Sequence, residues 1–563
     1  MIRRAATSCL ALCLLCGAAA GELFDRAARD FAAKVDAGAL ELLPAAYHGR
    51  VAILETLARE QLVQMVHSTG VEGLSPVVAY LEIYFNAGTC ADRPVLYVRE
   101  KNMRAFLAGR LDANSAAAFQ ATRRIPPAAL LDADGWMALF RAGRADRGDF
   151  TRAGAIGSLR DALPELADRK EMRVAIDRLS ARYSSFMATG LLRVVPGGPE
   201  GWQPLEEVFA GAAAQSRPAL PPIASKWLAL QTAWRRRDAD EVNRLAAALE
   251  KDFAAAGPKL CPARRARELE RFYNRTAHSA IVLAGFAVSL GLLIVAMGTG
   301  LRWMRLAGMG AFGLSTLAMV AAFVVRWLVS GRAWYLPPIM NQFEAVIGSA
   351  MLAAVLAFAL ELAWKRGFFA LAAALYATVS LLGGALFPEQ MESSVRAQHG
   401  ILASPVMAVH VAVIIIGHAM VGMTFFLSLL YLGAAGARWL ASGRGPASSA
   451  PDLRPAGELP ALAAIDRCNL IVAQLACWMV VAGTLLGAYW GDFAWGRWWG
   501  WDPKETWALI TCLVYVAVLH VRFVTPPRTR GMVTALLCIL GCLVMLFNWI
   551  VVNFLLPGKH SYA

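Results

Sequence analysis

Tryptophan is concentrated where a large flat ligand could use it. Six of the chain's seventeen tryptophans fall within the eighteen residues 490–507. The string reads Trp490-Gly-Asp-Phe-Ala-Trp495-Gly-Arg-Trp498-Trp499-Gly-Trp501-Asp502-Pro-Lys-Glu-Thr-Trp507. An interfacial aromatic belt also enriches tryptophan, but it scatters the rings over many helix ends. Six rings in one segment, beside backbone glycines, make a platform on which a planar ligand can stack. The segment has a defined exit. Asp502 suits a helix N-cap, Pro503 the first helical position and Glu505 the third, so a helix begins there. Capping and binding are compatible roles for Asp502.

The elements that hold this segment are membrane helices. The 563-residue chain is 58% hydrophobic, with a mean hydropathy of +0.48. Residues 21–278 are charged and mixed, whereas 279–556 are long apolar runs. Eight spans are expected, near 279–298, 304–326, 343–364, 367–387, 405–433, 468–490, 503–524 and 532–556. Each can cross a hydrocarbon core of about 30 Å. The fold class expected is therefore an α-helical polytopic membrane protein preceded by a mostly helical exported domain.

Charge orients the spans. Residues 1–20 read as a secretory signal: Arg3 and Arg4, a short apolar core, then Ala18-x-Ala20. An uncleaved anchor helix is the alternative, and either one exports residues 21–278. The loops that would then lie inside carry eleven Lys/Arg, against five in the outside loops and tail. That is the positive-inside bias, and it places the tryptophan segment and His560 outside the cytoplasmic membrane. The net charge of +14 is then mainly a topology signal, not a nucleic-acid footprint.

The exported region, 21–278, shows helical periodicity over 51–65, 165–183 and 225–253. Proline-rich breaks separate these stretches. Of ten cysteines only Cys90 and Cys261 would lie in this region, and they could form one disulfide. No Cys-x-x-Cys-His occurs, so the chain is not itself a c-type cytochrome.

The tryptophan segment resembles the WWD motif of the heme-handling proteins of cytochrome c biogenesis, most closely the CcsA/ResC family of System II. Other segments of residues 280–563 carry the same resemblance: Pro337-Pro-Ile-Met-Asn341-Gln-Phe-Glu344; Ser404 to His410; Leu519-His520-x-Arg522; and Asn553 to Gly558-x-His560-Ser-Tyr. In the exported region, Tyr47-His48-Gly49-Arg50, Thr56 to Glu60 and Pro94 to Val98 resemble the external domain of fused CcsB–CcsA synthetases. The membrane spans of a CcsB portion do not precede it.

The resemblance implies a heme b site, heme being substrate as much as cofactor. Trp495, Trp498, Trp499, Trp501 and Asp502 would hold the macrocycle, and His410 and His560 would hold its iron. His410 lies about 7.5 Å into the fifth span. His520 lies seventeen residues past Pro503, about 25 Å deeper. Two ligands of one metal sit only about 4 Å apart, so His520 implies a second heme position. An ionisable residue inside a membrane is a functional candidate by default. Its axial partner would come from a separate CcsB-like subunit or from His418, whose depth counted from Pro405 is about 20 Å, or there would be no second ligand. The expected activity is that of a holocytochrome c synthase component, with apocytochrome c Cys-x-x-Cys-His as acceptor. A heme exporter or chaperone without ligation, and a heme-free transporter, are the alternatives. His48, His67 and His399 are expected to be structural or loop residues, and His278 a membrane-surface residue.

Overall fold

Long apolar runs cannot leave backbone amides unpaired in hydrocarbon, so they close into helices. In a computed structural model, eight helices are long and apolar enough to cross a membrane. We label them α1 (His278–Thr299), α2 (Arg302–Ser330), α3 (Gln342–Trp364), α4 (Phe368–Leu386), α5 (Pro405–Ala441), α6 (Pro460–Trp495), α7 (Pro503–Val524) and α8 (Pro527–Phe547). The structure describes residues 22–109, 111–130, 173–187, 192–197, 201–214, 220–276, 278–387, 391–398, 400–441, 460–553, 555–556 and 558. The expected signal at 1–20, His399 and His560 lie outside the described residues. The chain divides into two compact units, Met1–Asn274 and Arg275–Ala563.

The first unit is richer in strands than its sequence suggests. Strands β1 (Pro44–Tyr47) and β2 (Arg50–Ile53) join through His48 and Gly49. Both turn residues have positive φ, 50° and 74°, which is what a tight two-residue hairpin demands. Two further pieces, β3 (Leu96–Tyr97) and β4 (Arg124–Ile125), pair with each other. Strands β5 (Arg193–Pro196) and β6 (Trp202–Pro204) complete a four-stranded antiparallel sheet of order β2-β1-β5-β6. The stretch 225–253, read as helical from its periodicity, lies in two helices, Pro222–Arg235 and Ala239–Ala255. Between them Arg237 takes φ 60° and Asp238 caps the second helix.

Buried polar groups tie this unit together. Glu82 accepts from Trp234 Nε1 at 2.8 Å and from both terminal nitrogens of Arg237. Glu270 accepts from Arg50 at 2.7 Å and Thr56 at 2.6 Å, and Asn274 donates to the Thr56 hydroxyl at 2.8 Å. The hairpin and the helix Arg264–Arg275 are thereby fixed to each other. His48 Nε2 hydrogen-bonds to Glu60 Oε2 at 3.0 Å, and His67 stacks on Tyr97. Cys90 and Cys261 stand as free, buried thiols rather than a disulfide. Burial pushes the Cys90 thiol up to about 12.

In the second unit, α5 and α6 form an antiparallel pair of 37 and 36 residues. Both run beyond the limits expected from hydropathy, because the helix continues after the apolar run ends. Glycine lets their backbones close up. A Cβ on Gly417 would lie 3.0 Å from Val480, and one on Gly483 would lie 2.8 Å from Ile414. Consecutive helices alternate in direction. The Trp495–Pro503 hairpin, the α2–α3 and α4–α5 connections and the end of α8 therefore share one end of the bundle, here the tryptophan end. There Lys504 Nζ donates to Asn553 Oδ1 at 2.7 Å. At the opposite end Arg522 pairs with Asp466 at 2.8 and 2.9 Å and donates to Thr534 at 3.0 Å.

Candidate functional site

The hairpin at the tryptophan end is shaped by local backbone rules. Helix α6 stops after Trp495, where Gly496 takes φ 67°. Asp502 caps α7, its Oδ2 accepting from Lys504 N at 3.2 Å. Glu505 completes a capping box, its Oε2 accepting from Asp502 N at 3.2 Å and Gly500 N at 2.7 Å. The capping role of Asp502 expected from the sequence is therefore met.

Trp501 takes φ 58°, a left-handed conformation that suits glycine or asparagine. Holding a bulky residue there costs on the order of 1–3 kcal/mol. The ring it carries is 70% exposed, and Trp498 is 56% exposed. Trp499 packs edge-on to Trp501 at 5.9 Å, and Trp498 lies 5.8 Å from Tyr489. Trp495 stands edge-on to buried Trp490 at 4.9 Å. The inner rings brace the hairpin, and the outer two present aromatic surface.

His410 sits beside this hairpin. Its ring lies against α6 where a glycine makes room: a Cβ on Gly487 would come within 2.7 Å of the imidazole. Nδ1 lies 2.9 Å from the Gly483 carbonyl. A carbonyl can only accept, so Nδ1 carries the proton and Nε2 the lone pair, the tautomer of an Nε2 metal ligand. One turn further along α6, Gly491 backs the Arg497 carbonyl, with a Cβ-to-oxygen approach of 3.3 Å. Four residues of helix rise about 6 Å. The imidazole and the hairpin are thus neighbours on one face of α6.

The chain end meets the same place. Asp502 is buried, and a Cβ on Gly558 would lie 2.8 Å from its Oδ1. Only a residue without a side chain lets the tail pass this close to the carboxylate. His560 lies two positions beyond, outside the described residues.

His418 departs from expectation. Thr424 on α5 and Tyr515 on α7 share a hydrogen bond of 2.7 Å, and Gly541 on α8 abuts the Tyr515 ring. These residues mark one level. His418 lies six residues from Thr424 toward the tryptophan end, about 9 Å, and His520 five residues from Tyr515 the other way, about 7.5 Å. The two imidazoles are separated by about 16 Å along the bundle, so they cannot share an iron. Counting each depth from its helix's first proline assumed that α5 and α7 start level. In fact Thr424 is nineteen residues from Pro405, and Tyr515 is twelve from Pro503. Buried His418 also has its own partner: Trp549 Nε1 donates to its Nδ1 at 2.9 Å. Trp549 sits on a π turn, Asn548–Val552, that follows α8.

His520 donates from Nδ1 to the Val516 carbonyl at 2.8 Å and is exposed on the bundle surface. Its neighbours there are apolar and outward, Leu513 at 58% and Phe523 at 84% exposure. The structure does not bring His520 to the hairpin; it lies in the other half of the bundle. His278 is tied by Nδ1 to the Thr276 carbonyl at 3.0 Å.

Sequence reading missed the clamp that fixes the remaining loops of the tryptophan end. Glu344 accepts from Arg326 at 2.9 Å and from Arg332 at 2.8 Å, and is almost fully buried. The two arginines reach on to the carbonyls of Ser393, Ser394 and Arg396. Arg326 lies within an apolar run, and that placement was the available signal. Removing one member of such a cluster leaves charge buried and costs about 3–5 kcal/mol.

Comparisons with known proteins fall on this unit. A family model described as cytochrome C assembly protein matches residues 335–560. The chain is similar to the cytochrome c biogenesis protein CcsA of Synechococcus sp., 32% identical over 264 residues, covering 44% of this chain and 84% of that protein. It is similar to CcsA of Prochlorococcus marinus, 31% identical over 318 residues, covering 52% and 96%. Protein NrfI of Wolinella succinogenes is 29% identical over 323 residues, covering 54% of this chain and 32% of that protein.

Proposed function

This chain belongs to the CcsA family of cytochrome c assembly proteins, and from that premise we propose that it delivers heme b to the tryptophan end and takes part in its covalent attachment to apocytochrome c. The observation that carries this reading is His410, seated on Gly487 beside the tryptophan hairpin with its proton on Nδ1, the tautomer of an Nε2 ligand. Trp498 and Trp501 offer the flat surface that a macrocycle needs. The charge bias of the loops supports an orientation with this end, and the first unit, outside the cytoplasmic membrane.

In the proposed reaction each thiol of an apocytochrome Cys-x-x-Cys-His adds across one heme vinyl group. Sulfur bonds to one vinyl carbon and the thiol proton ends on the other, so nothing is oxidised and nothing leaves. The chain's share is orientation, which alone can account for much of a rate. His410 and His560 hold the iron until the apocytochrome histidine replaces one of them. Trp495, Trp498, Trp499 and Trp501 restrain the macrocycle, and Asp502 holds the hairpin and the tail in register. His520 marks a second heme position nearer the opposite end. Its exposure on the bundle surface supports a ligand supplied by another membrane subunit, of CcsB type, rather than by His418.

The test is spectroscopic. The protein purified from heme-replete cells is expected to carry heme with a low-spin spectrum. Holocytochrome is expected when the chain and its partner are expressed beside an apocytochrome in a host lacking other maturation genes. A heme-free preparation whose properties do not change on replacing His410 defeats the proposal. Heme without holocytochrome, even with the partner present, reduces it to a carrier.

A further inference from the structure

The tryptophan hairpin holds a cation that neither the capping network nor the axial histidines use. Arg497 is half-buried, and its guanidinium occupies the place where a Cβ on Gly500 would stand. Gly500 does not have a positive φ among the described residues, so its missing side chain serves this seat rather than a turn conformation. Its neighbours Trp499 and Trp501 pack edge to face across it. The guanidinium is therefore seated on the turn that carries the two rings.

Arg497 has no hydrogen bond or ion pair among the described residues. The carboxylates nearest in sequence do not neutralise it. Glu505 is turned to the backbone amides of Gly500 and Asp502. Asp502 is turned to Lys504 N and toward Gly558. Asp492, five residues before, forms no ion pair with it among the described residues. Three other arginines of the bundle contrast with this: Arg326 and Arg332 share Glu344, and Arg522 pairs with Asp466. A planar guanidinium matches a carboxylate through two parallel N–H donors. Exposed aromatic rings and an unspent guanidinium on one turn suit a planar aromatic ligand with carboxylates at its edge.

We infer that Arg497, seated on Gly500, anchors the propionate edge of the heme whose delivery is proposed above. The inference rests on that reading and deepens it: the ligand is held at three chemically different points, its iron, its face and its carboxylate edge. The anchor sets which edge of the macrocycle faces the hairpin, and thereby which edge presents the vinyl groups to the incoming thiols.

The full chain in detergent, stripped of heme, would be titrated with hemin and with hemin dimethyl ester, whose carboxylates are blocked. The wild type is expected to prefer hemin by at least tenfold. Arg497→Gln is expected to bind hemin about ten- to a hundredfold more weakly, the range of a charge-assisted contact. Its affinity for the ester should be unchanged, so the preference disappears. Gly500→Ala, which keeps the charge but evicts the guanidinium, should move the same way. Arg497→Lys should recover only part of the preference, because an ammonium cannot pair two-pronged. A wild-type preference that survives Arg497→Gln overturns the anchor; that is also the result expected if the arginine only meets lipid phosphate. A wild type that binds neither compound defeats the heme reading itself, and the anchor with it.

Discussion

His410 and His520 look alike locally and differ in what surrounds them. Each donates from Nδ1 to a helix carbonyl, Gly483 and Val516. Each therefore points a lone pair on Nε2 outward from its anchor. His410 is backed by Gly487 of a neighbouring helix and lies one turn from the tryptophan hairpin. His520 bonds to its own helix and stands on an exposed apolar face with Leu513 and Phe523. The first imidazole is placed by tertiary packing within the chain, and the second only by its own turn. The contrast teaches that the His410 position is shaped by a second helix of the same chain, whereas His520 is held by its own helix alone.

Replacing His410 by Ala should have the largest effect. Heme retained by the purified protein should fall to background, read from its absorption spectrum, because no other imidazole among the described residues lies beside the hairpin. Retained heme with an unshifted spectrum would break the contrast at its stronger side. Gly487→Val should follow. The added side chain overlaps the ring position, so heme retention should drop roughly tenfold, in the range reported for disturbing a ligand's support. Circular dichroism should show the helices intact.

His520→Ala sharpens the other side. A surface substitution changes stability by about 0.5 kcal/mol or less, so the melting temperature of the isolated chain should not move. Holocytochrome yield with the partner subunit present should fall severalfold. A loss of stability in the isolated chain would mean that His520 is a packing residue. Gly558→Ala should weaken heme retention severalfold by pushing the tail from Asp502. Asp502→Asn keeps a capping acceptor and should cost less than Asp502→Ala, whose lost cap is worth about 1 kcal/mol. Equal effects of all three would separate the tail from the site. The smallest effect on heme is expected from Trp549→Phe. It leaves buried His418 without its donor and should cost about 1–3 kcal/mol in thermal stability, with the heme spectrum unchanged.

Much of the site was legible because it is local. The tryptophan cluster, the Asp502-Pro503-Glu505 start of α7 and the eight apolar runs depend on residues a few positions apart. Capping and hydrophobic length act over that range. The strands of the first unit were not legible. They are two to four residues long, too short to show alternation, and β1 pairs with β5 across almost 150 residues. Arg326 could be flagged by its apolar setting, but its partners on α3 and in the α4–α5 connection could not.

The sequence by itself determined which residues can do chemistry and which helix carries each. It placed His410 near the start of α5 and His520 near the end of α7, and separated them along the bundle. Tertiary structure alone decided the stagger between helices. Helix rise is the same everywhere, about 1.5 Å per residue, but the zero from which each helix counts is set by packing. The Thr424–Tyr515–Gly541 level puts His418 about 16 Å from His520, where counting from the prolines had brought them close. The same packing put a glycine opposite His410 and another beneath Arg497, because a position's need for no side chain is known only once its neighbour across the interface is known.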